Sequence, residues 1–295
     1  MRSLAWLVSL PIVAEAGEVL WSGLFDASAT VADFDEWSWS NQVGAWQWYI
    51  HGSAPTEEYL GLSPDHKNPA GTSDEQGIRI TIVGHIRSSS GLEAHNSQDG
   101  TSFWNGQTME RSEIIPQTKA NLGSGHLFYH FSLKTEETNA PNPGFEHQIG
   151  FFEVSFPRSR ASKKSTANKY VHQSHFTELK YGAMSGTSGD DNTLRWCVGG
   201  VSHWETDLEA GTWYNFAYDI DFDAKTVGLW ASNGADDLTE VVPAVSASTS
   251  TNSADWHVGE LRLDNGGSDA AAEDWFWSGI FVEKAPITAG IAGPA

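Results

Sequence analysis

Beyond residue 16, almost no stretch of this chain sustains a helical period. What recurs instead is a short run of β-branched, aromatic and aliphatic residues closed off by Gly, Pro, Asn and Asp, the pattern of strands joined by tight turns. Ile78–Val83, Thr108–Ile115, His126–Lys134, His147–Glu153, His175–Tyr181, Thr212–Phe222, Thr226–Ala231 and Asp274–Glu283 all read this way. Two of these runs face each other across Asp223, Ala224 and Lys225, which predicts a hairpin. No internal repeat and no shift in composition divides the chain, so the expectation is one all-β domain of two packed antiparallel sheets. Cys197 is the single cysteine, so no internal disulfide can form and stability must come from the core that 295 residues can bury.

Seventeen basic residues against 38 acidic ones leave a net charge of −21, which argues against nucleic acid or an anionic membrane surface as partner. Neutral or cationic ligands fit better. Fourteen Trp suit the apolar faces of sugar rings, although large sandwiches also place Trp in their cores. Arg2, the apolar run Leu4–Val13 and Ala14-Glu15-Ala16 read as a secretory signal peptide cut after Ala16. The run is too short to span a bilayer. The expectation is therefore a secreted, extracellular, soluble monomer beginning near Gly17, with its catalytic domain over 17–284 and a flexible tail over 285–295.

The chemistry-bearing residues cluster in three places. In Phe103–Thr118, Asn105-Gly106 reads as a turn leading into a strand on which Met109, Arg111, Glu113 and Ile115 share one face, so a cation stands one pleat from a carboxylate. The plain alternative for Arg111 and Glu113 is a solvated ion pair. A second cluster is Glu146, His147, Gln148 and Glu153, and a third is His175, Glu178, Lys180 and Tyr181. Between Trp37 and Ala70 the chain is aromatic. There, alternation puts Trp46 and Trp48 on one face and Tyr49 and His51 on the other, so at least one pair is expected in the core, and either could line a cleft. His and Glu occur together, but in no metal-ligand spacing, and no Gly-x-Ser-x-Gly elbow is present, so neither a metal nor any other cofactor is expected. Glycoside hydrolysis needs two carboxyl groups flanking one bond, and paired carboxylates are the best chemistry the sequence offers.

The runs WSWSNQVG (37–44), YIHGS (49–53), YLGLSPDHKNPA (59–70), FWNGQTMERSEIIPQT (103–118), EHQIGFFE (146–153) and HFTELKYG (175–182) resemble the fungal secreted glucanases of glycoside hydrolase family 131. The likeness continues through LRWCV, YDIDFDAKTVGLW and ADWHVGEL to Trp277-Ser278-Gly279, nearly the whole chain after residue 16. It implies a single-domain β-jelly roll that hydrolyses β-glucans of β-1,3/1,6 and β-1,4 linkage. Carried over position by position, the family's proposed catalytic carboxylates fall on Glu113 and Glu153. Substrate contacts are then expected from Arg111, Trp104, Gln148, Tyr49, His51, His175, Lys180 and His257.

Two other functions set the alternatives. Alginate-lyase-type jelly rolls carry an R-x-E-x-R strand and a Q-x-H strand, but this chain has Ile115 in place of the second Arg and Gly150 in place of the His. Those are the tools that neutralise a uronate and abstract its proton. A glucan-binding lectin would need no paired acids, and here both are retained.

Two segments read as insertions. Val154–Gln173 holds five of the 17 basic residues and no acid, and family members resemble the chain as though Glu153 ran straight into Ser174. Val-Ser, Ala-Asn and Gln can encode the donor, branch and acceptor sequences of a retained intron. Val83–Gln98 is a second candidate, whose removal would join Ile82 to Asp99. The alternative for each is a genuine surface loop.

Overall fold

The computed structural model describes residues 17–35, 44–52, 54–83, 109–153, 175–251, 255–263 and 271–294, with only the backbone described for Tyr49 and Ile50. Trp104, residues 84–98 and residues 154–173 lie outside the described residues. In chain order the strands are β1 (Val19–Ser22), β2 (Trp46–Ile50), β3 (Leu60–Ser63), β4 (Gly77–Ile82), β5 (Met109–Pro116), β6 (His126–Lys134), β7 (Glu146–Phe152) and β8 (Thr177–Tyr181). They continue as β9 (Thr193–Val198), β10 (Val201–Asp207), β11 (Tyr214–Asp221), β12 (Thr226–Asn233), β13 (Thr239–Ser246), β14 (Trp256–Leu263) and β15 (Glu273–Lys284). One short α-helix, α1 (Thr56–Tyr59), and two 3-10 turns accompany them, and no helix among the described residues is long and apolar enough to cross a membrane.

Two antiparallel sheets pack face to face in a β-jelly roll, as expected. One runs β13-β12-β11-β6-β15-β4-β3, with β1 also paired to β15; the other runs β10-β9-β8-β7-β14-β5-β2. The alternation that marked the strands also sorts their side chains. On β6, Leu127, Tyr129, Phe131 and Leu133 enter the core, and on the adjacent β11 so do Tyr214, Phe216, Tyr218 and Ile220. Each such buried side chain contributes about 1.5–3 kcal/mol. The β11–β12 hairpin turns at the expected residues. Of the two aromatic pairs on and after β2, Trp46 and Trp48 belong to the core.

Two glycines mark where the apolar pattern of the seven-stranded sheet changes face, one by a bulge and one by a change of residue type. On β7, Gly150 has φ +56° and lies where the pairing with β14 slips by one residue, a bulge that moves every later side chain to the opposite face. Phe152 therefore joins the core, while Phe151 and Glu153 point outward with Gln148. On β14 the apolar phase flips at Gly259: Trp256 and Val258 are core residues, but Glu260 and Arg262 continue the inward face and Leu261 pairs beside Arg111. A Cβ on Gly259 would lie 2.3 Å from the Ser112 carbonyl oxygen, and its φ of +141° is one that other residues rarely adopt.

One end of the interior is consequently ionic. Arg262 pairs with Glu273 at 2.7 Å and with Glu110, Glu273 also takes His147 at 2.6 Å, and the group ties β5, β7 and β14 to β15 of the facing sheet. Glu260 lies in the same layer with no exposed surface, and among the described residues neither of its oxygens has a hydrogen-bond partner. Burial, with the fields of Glu273 and Glu113, pushes its carboxyl well above the usual range.

The segment expected as a tail makes hydrogen bonds to the rest of the chain. Leu238 donates to the Ala289 carbonyl, Thr72 and Ser73 donate to that of Ala292, and the Thr288 hydroxyl donates to Glu283 at 2.7 Å. Its small residues let the backbone lie close enough for its carbonyls to find donors.

Candidate active site

On the outer face of the seven-stranded sheet, β5, β14 and β7 lie side by side and bring Glu113, His257 and Glu153 together. Arg111 Nε donates to Glu113 Oε1 at 2.6 Å, and Arg111 Nη2 donates to Glu113 Oε2 at 2.8 Å and to Glu153 Oε1 at 2.7 Å. One guanidinium nitrogen thus touches both carboxylates, which bounds the separation of those two oxygens at about 5.5 Å. His257 Nδ1 lies 2.6 Å from Glu113 Oε2, and its Nε2 is 3.9 Å from Glu153 Oε2. A carboxylate accepts, so Nδ1 carries the proton in this contact. Phe151 is the flat partner beneath them: its ring stacks on His257 at 4.9 Å on one side and on His175 at 4.2 Å on the other, with Arg111 5.6 Å from its centroid.

The two carboxyls are unequal. The Glu113 side chain has no exposed surface, whereas that of Glu153 is 26% exposed. Burial pushes the Glu113 carboxyl up, but Arg111 and His257 more than offset it and hold the group below its ordinary value. Glu113 is therefore ionised at neutral pH.

This layout of acids on a jelly-roll sheet can be set against known proteins. The model of the glycoside hydrolase 131 catalytic N-terminal domain matches residues 19–288. The chain belongs to glycoside hydrolase family 131. A GH131 β-glucanase catalytic domain from Podospora anserina is 45% identical over 94% of this chain and 100% of its own, with a TM-score of 0.79. The catalytic domain of a family 131 protein from Coprinopsis cinerea is 47% identical over 93% and 98%, with a TM-score of 0.74. No curated protein matches the chain.

In this family 131 chain the outer face continues past Phe151 into a second charged cluster. Lys180 Nζ donates to Glu146 Oε1 at 2.8 Å and lies 3.6 Å from Glu178, Gln148 Nε2 donates to Glu146 at 3.2 Å, and His175 Nδ1 sits 2.7 Å from Glu178. Burial raises the Glu146 carboxyl, but Lys180 and the Ser185 backbone draw it down to about 2. Cys197, on the next strand, is driven the other way, to about 12, by burial and by Glu178, so it remains a thiol. Of the residues expected to touch substrate, Arg111, Gln148, His175, Lys180 and His257 thus share one face with Glu113 and Glu153. His175 and His257 are each buried, with a ring nitrogen on a carboxylate. His51 is exposed and stacks on Trp48 at 3.7 Å, on β2 at the sheet edge. Sequence reasoning missed the Phe151 platform, since a Phe-Phe pair looks like core twice over. A glycine inside the strand run, Gly150 just before it, was the available signal.

Proposed function

We propose that this chain hydrolyses β-glucans with Glu113 and Glu153 as its carboxyl pair. The observation that carries the reading is the Arg111 guanidinium shared between them, which holds two acids of different exposure close enough to flank one glycosidic bond. The family membership and the β-glucanase described from Podospora anserina support the substrate class.

The inequality of the two acids suggests their division of labour. Glu153, the more exposed of the two, meets the sugar first and donates a proton to the leaving oxygen. Glu113 stays ionised, the form that activates water or attacks directly, and it reaches the sugar only once substrate has displaced Glu153 from Arg111. Lys180, Gln148 and the neighbouring acids offer donors and acceptors to hydroxyls further along the chain of sugars. The leader-like residues 1–16 support secretion, with a mature chain beginning near Gly17 and acting as a monomer.

The test is to replace Glu113 and Glu153 by Gln separately and to assay reducing sugar from β-1,3/1,6-glucan and from cellulosic β-1,4-glucan. Each variant should keep its fold and lose about a thousandfold in turnover. Wild-type hydrolysis by Glu153→Gln would remove the assignment. An unsaturated, ultraviolet-absorbing product from a polyuronate would replace hydrolysis with elimination.

A further inference from the structure

On the opposite side of the sandwich, the outer face of the eight-stranded sheet carries a groove of about 630 Å³ lined by His66, Arg79, Glu136, Glu137, Thr138 and Phe276. Arg79 on β4 and Phe276 on β15 are paired neighbours whose strand partners Ile78, Ile80, Trp275 and Trp277 fill the core, so these two side chains point away from it. Two sheets therefore separate this groove from Glu113 and Glu153.

Its chemistry is that of a site for a neutral, hydroxyl-rich ligand. Lys134, which lies 5.1 Å from the Phe276 ring, is already paired with Glu136, and the Arg79 ion pair to Asp274 is stretched to 3.8 Å. Arg79 Nε is buried and has no hydrogen-bond partner among the described residues, and the Arg79 Nη2 end is fixed by the Glu57 carbonyl at 3.1 Å. Gly61 makes room for this arrangement, since a Cβ there would stand 3.1 Å from Arg79 Nε and 3.3 Å from the His66 ring. Burial, with the charges of Arg79 and Lys134, lowers the His66 pKa, so its ring is neutral. The ring bonds the Gly61 carbonyl through Nδ1 at 3.1 Å, which places the proton there and leaves Nε2 as an acceptor. A ring acceptor, the three carboxylates of Glu136, Glu137 and Asp274, and a hydroxyl thus surround the edge-packed His66 and Phe276 rings, with the Arg79 guanidinium beside them. Acids outnumber free cations here, which disfavours an anion. Sugar hydroxyls donate and accept at once, and their C–H faces suit the aromatic rings.

From this geometry we propose that the groove is a second, non-catalytic binding site for a β-glucan chain, and the choice of glucan rests on the substrate class proposed above. It would hold the enzyme on an insoluble polymer while the far face cleaves. Adsorption of the full chain to particulate β-1,3-glucan and to cellulose is measured for wild type, for Thr138→Trp, which obstructs the exposed rim, and for His66→Ala, which removes the acceptor. Soluble oligosaccharide turnover is measured in parallel. The expected result is adsorption weakened about tenfold in both variants, with kcat/KM on the soluble substrate unchanged. Wild type that does not adsorb, variants that adsorb like wild type, or variants that lose soluble turnover in proportion would each overturn the groove. If wild type adsorbs through the groove yet hydrolyses no glucan, the groove stands and the proposed activity falls.

Discussion

Arg111 Nη2 reaches Glu153 at 2.7 Å although a whole strand, β14, separates β5 from β7. Bridging that width while also forking onto Glu113 requires the planar, five-donor head of arginine; a lysine ammonium is a single point. Arg111→Lys is therefore expected to lower turnover about a hundredfold, because the carboxyl pair loses its spacing. Arg111→Met leaves a fully buried carboxylate without its main partner and should cost about 3–5 kcal/mol in chemical denaturation. A Met variant as stable as wild type would show that the bridge does not hold the site.

Acid should unpick the second cluster in a defined window. The Glu146 carboxyl lies at about 2 in the folded chain against an ordinary value of 4.5. A depressed carboxyl contributes stability that is complete above 4.5 and is lost as pH falls toward 2. Wild type should lose about 3 kcal/mol between those limits through this group, and Glu146→Gln should show a correspondingly flatter stability curve. Parallel curves for the two proteins would count against the Lys180–Glu146 pairing.

Glu260 predicts the reverse slope. Its carboxyl is raised, so the folded chain keeps a proton that the unfolded chain releases above about 4.5, and stability falls as pH rises beyond that point. Glu260→Gln mimics the protonated form. It should match wild type near pH 4 and be more stable at pH 8, with the gap in melting temperature widening steadily between. A variant that is less stable at pH 8 would mean that Glu260 is ionised and paired.

Two glycine substitutions should separate strain from collision. Gly259→Ala drives a methyl group into the Ser112 carbonyl and the Glu113 backbone, at 2.3 and 2.8 Å, and should cost about 3 kcal/mol and most of the activity. Gly150→Ala meets nothing closer than 3.5 Å, so only its left-handed backbone is penalised, by about 1 kcal/mol. Equal losses from the two would contradict this.

Residues 154–173 should be dispensable. β7 and β8 are antiparallel neighbours with Ile149 opposite Leu179, and the rings of Phe151 and His175 already lie 4.2 Å apart, so Glu153 joined directly to Ser174 closes a short turn. A chain lacking 154–173 is expected to fold and to be at least as active as the full one. Transcripts that retain all twenty codons, together with loss of activity on deletion, would show the segment to be a working part of the enzyme.

The strands legible in sequence were those with a sustained run of β-branched, aromatic and aliphatic residues closed off by turn residues. β4, β5, β6, β7, β8, β11, β12 and β15 were anticipated within a residue or two. β10 and β13 escaped because they edge the two sheets and are largely exposed, so their residues have no apolar phase to follow. β14 escaped for a different reason: its phase inverts at Gly259, and the acid and base that follow face an ionic interior rather than solvent. The carboxylates of the site could be named from family wording, but not that Glu113 would be sealed and Glu153 open. That difference depends on Arg111 and His257 arriving from separate strands.

The docked C-terminal segment has a mechanical consequence. Its hydrogen bonds to Thr72 and Ser73 lie beside β4, and the one to Leu238 lies at the start of β13, near opposite margins of the same eight-stranded sheet. The segment acts as a belt across that sheet, so that prising an edge strand away loads several bonds in shear instead of peeling them singly. Because the two sheets share one close-packed interior, fixing the curvature of the belted sheet also constrains that of the other, whose neighbouring strands bring Glu113 and Glu153 to one Arg111.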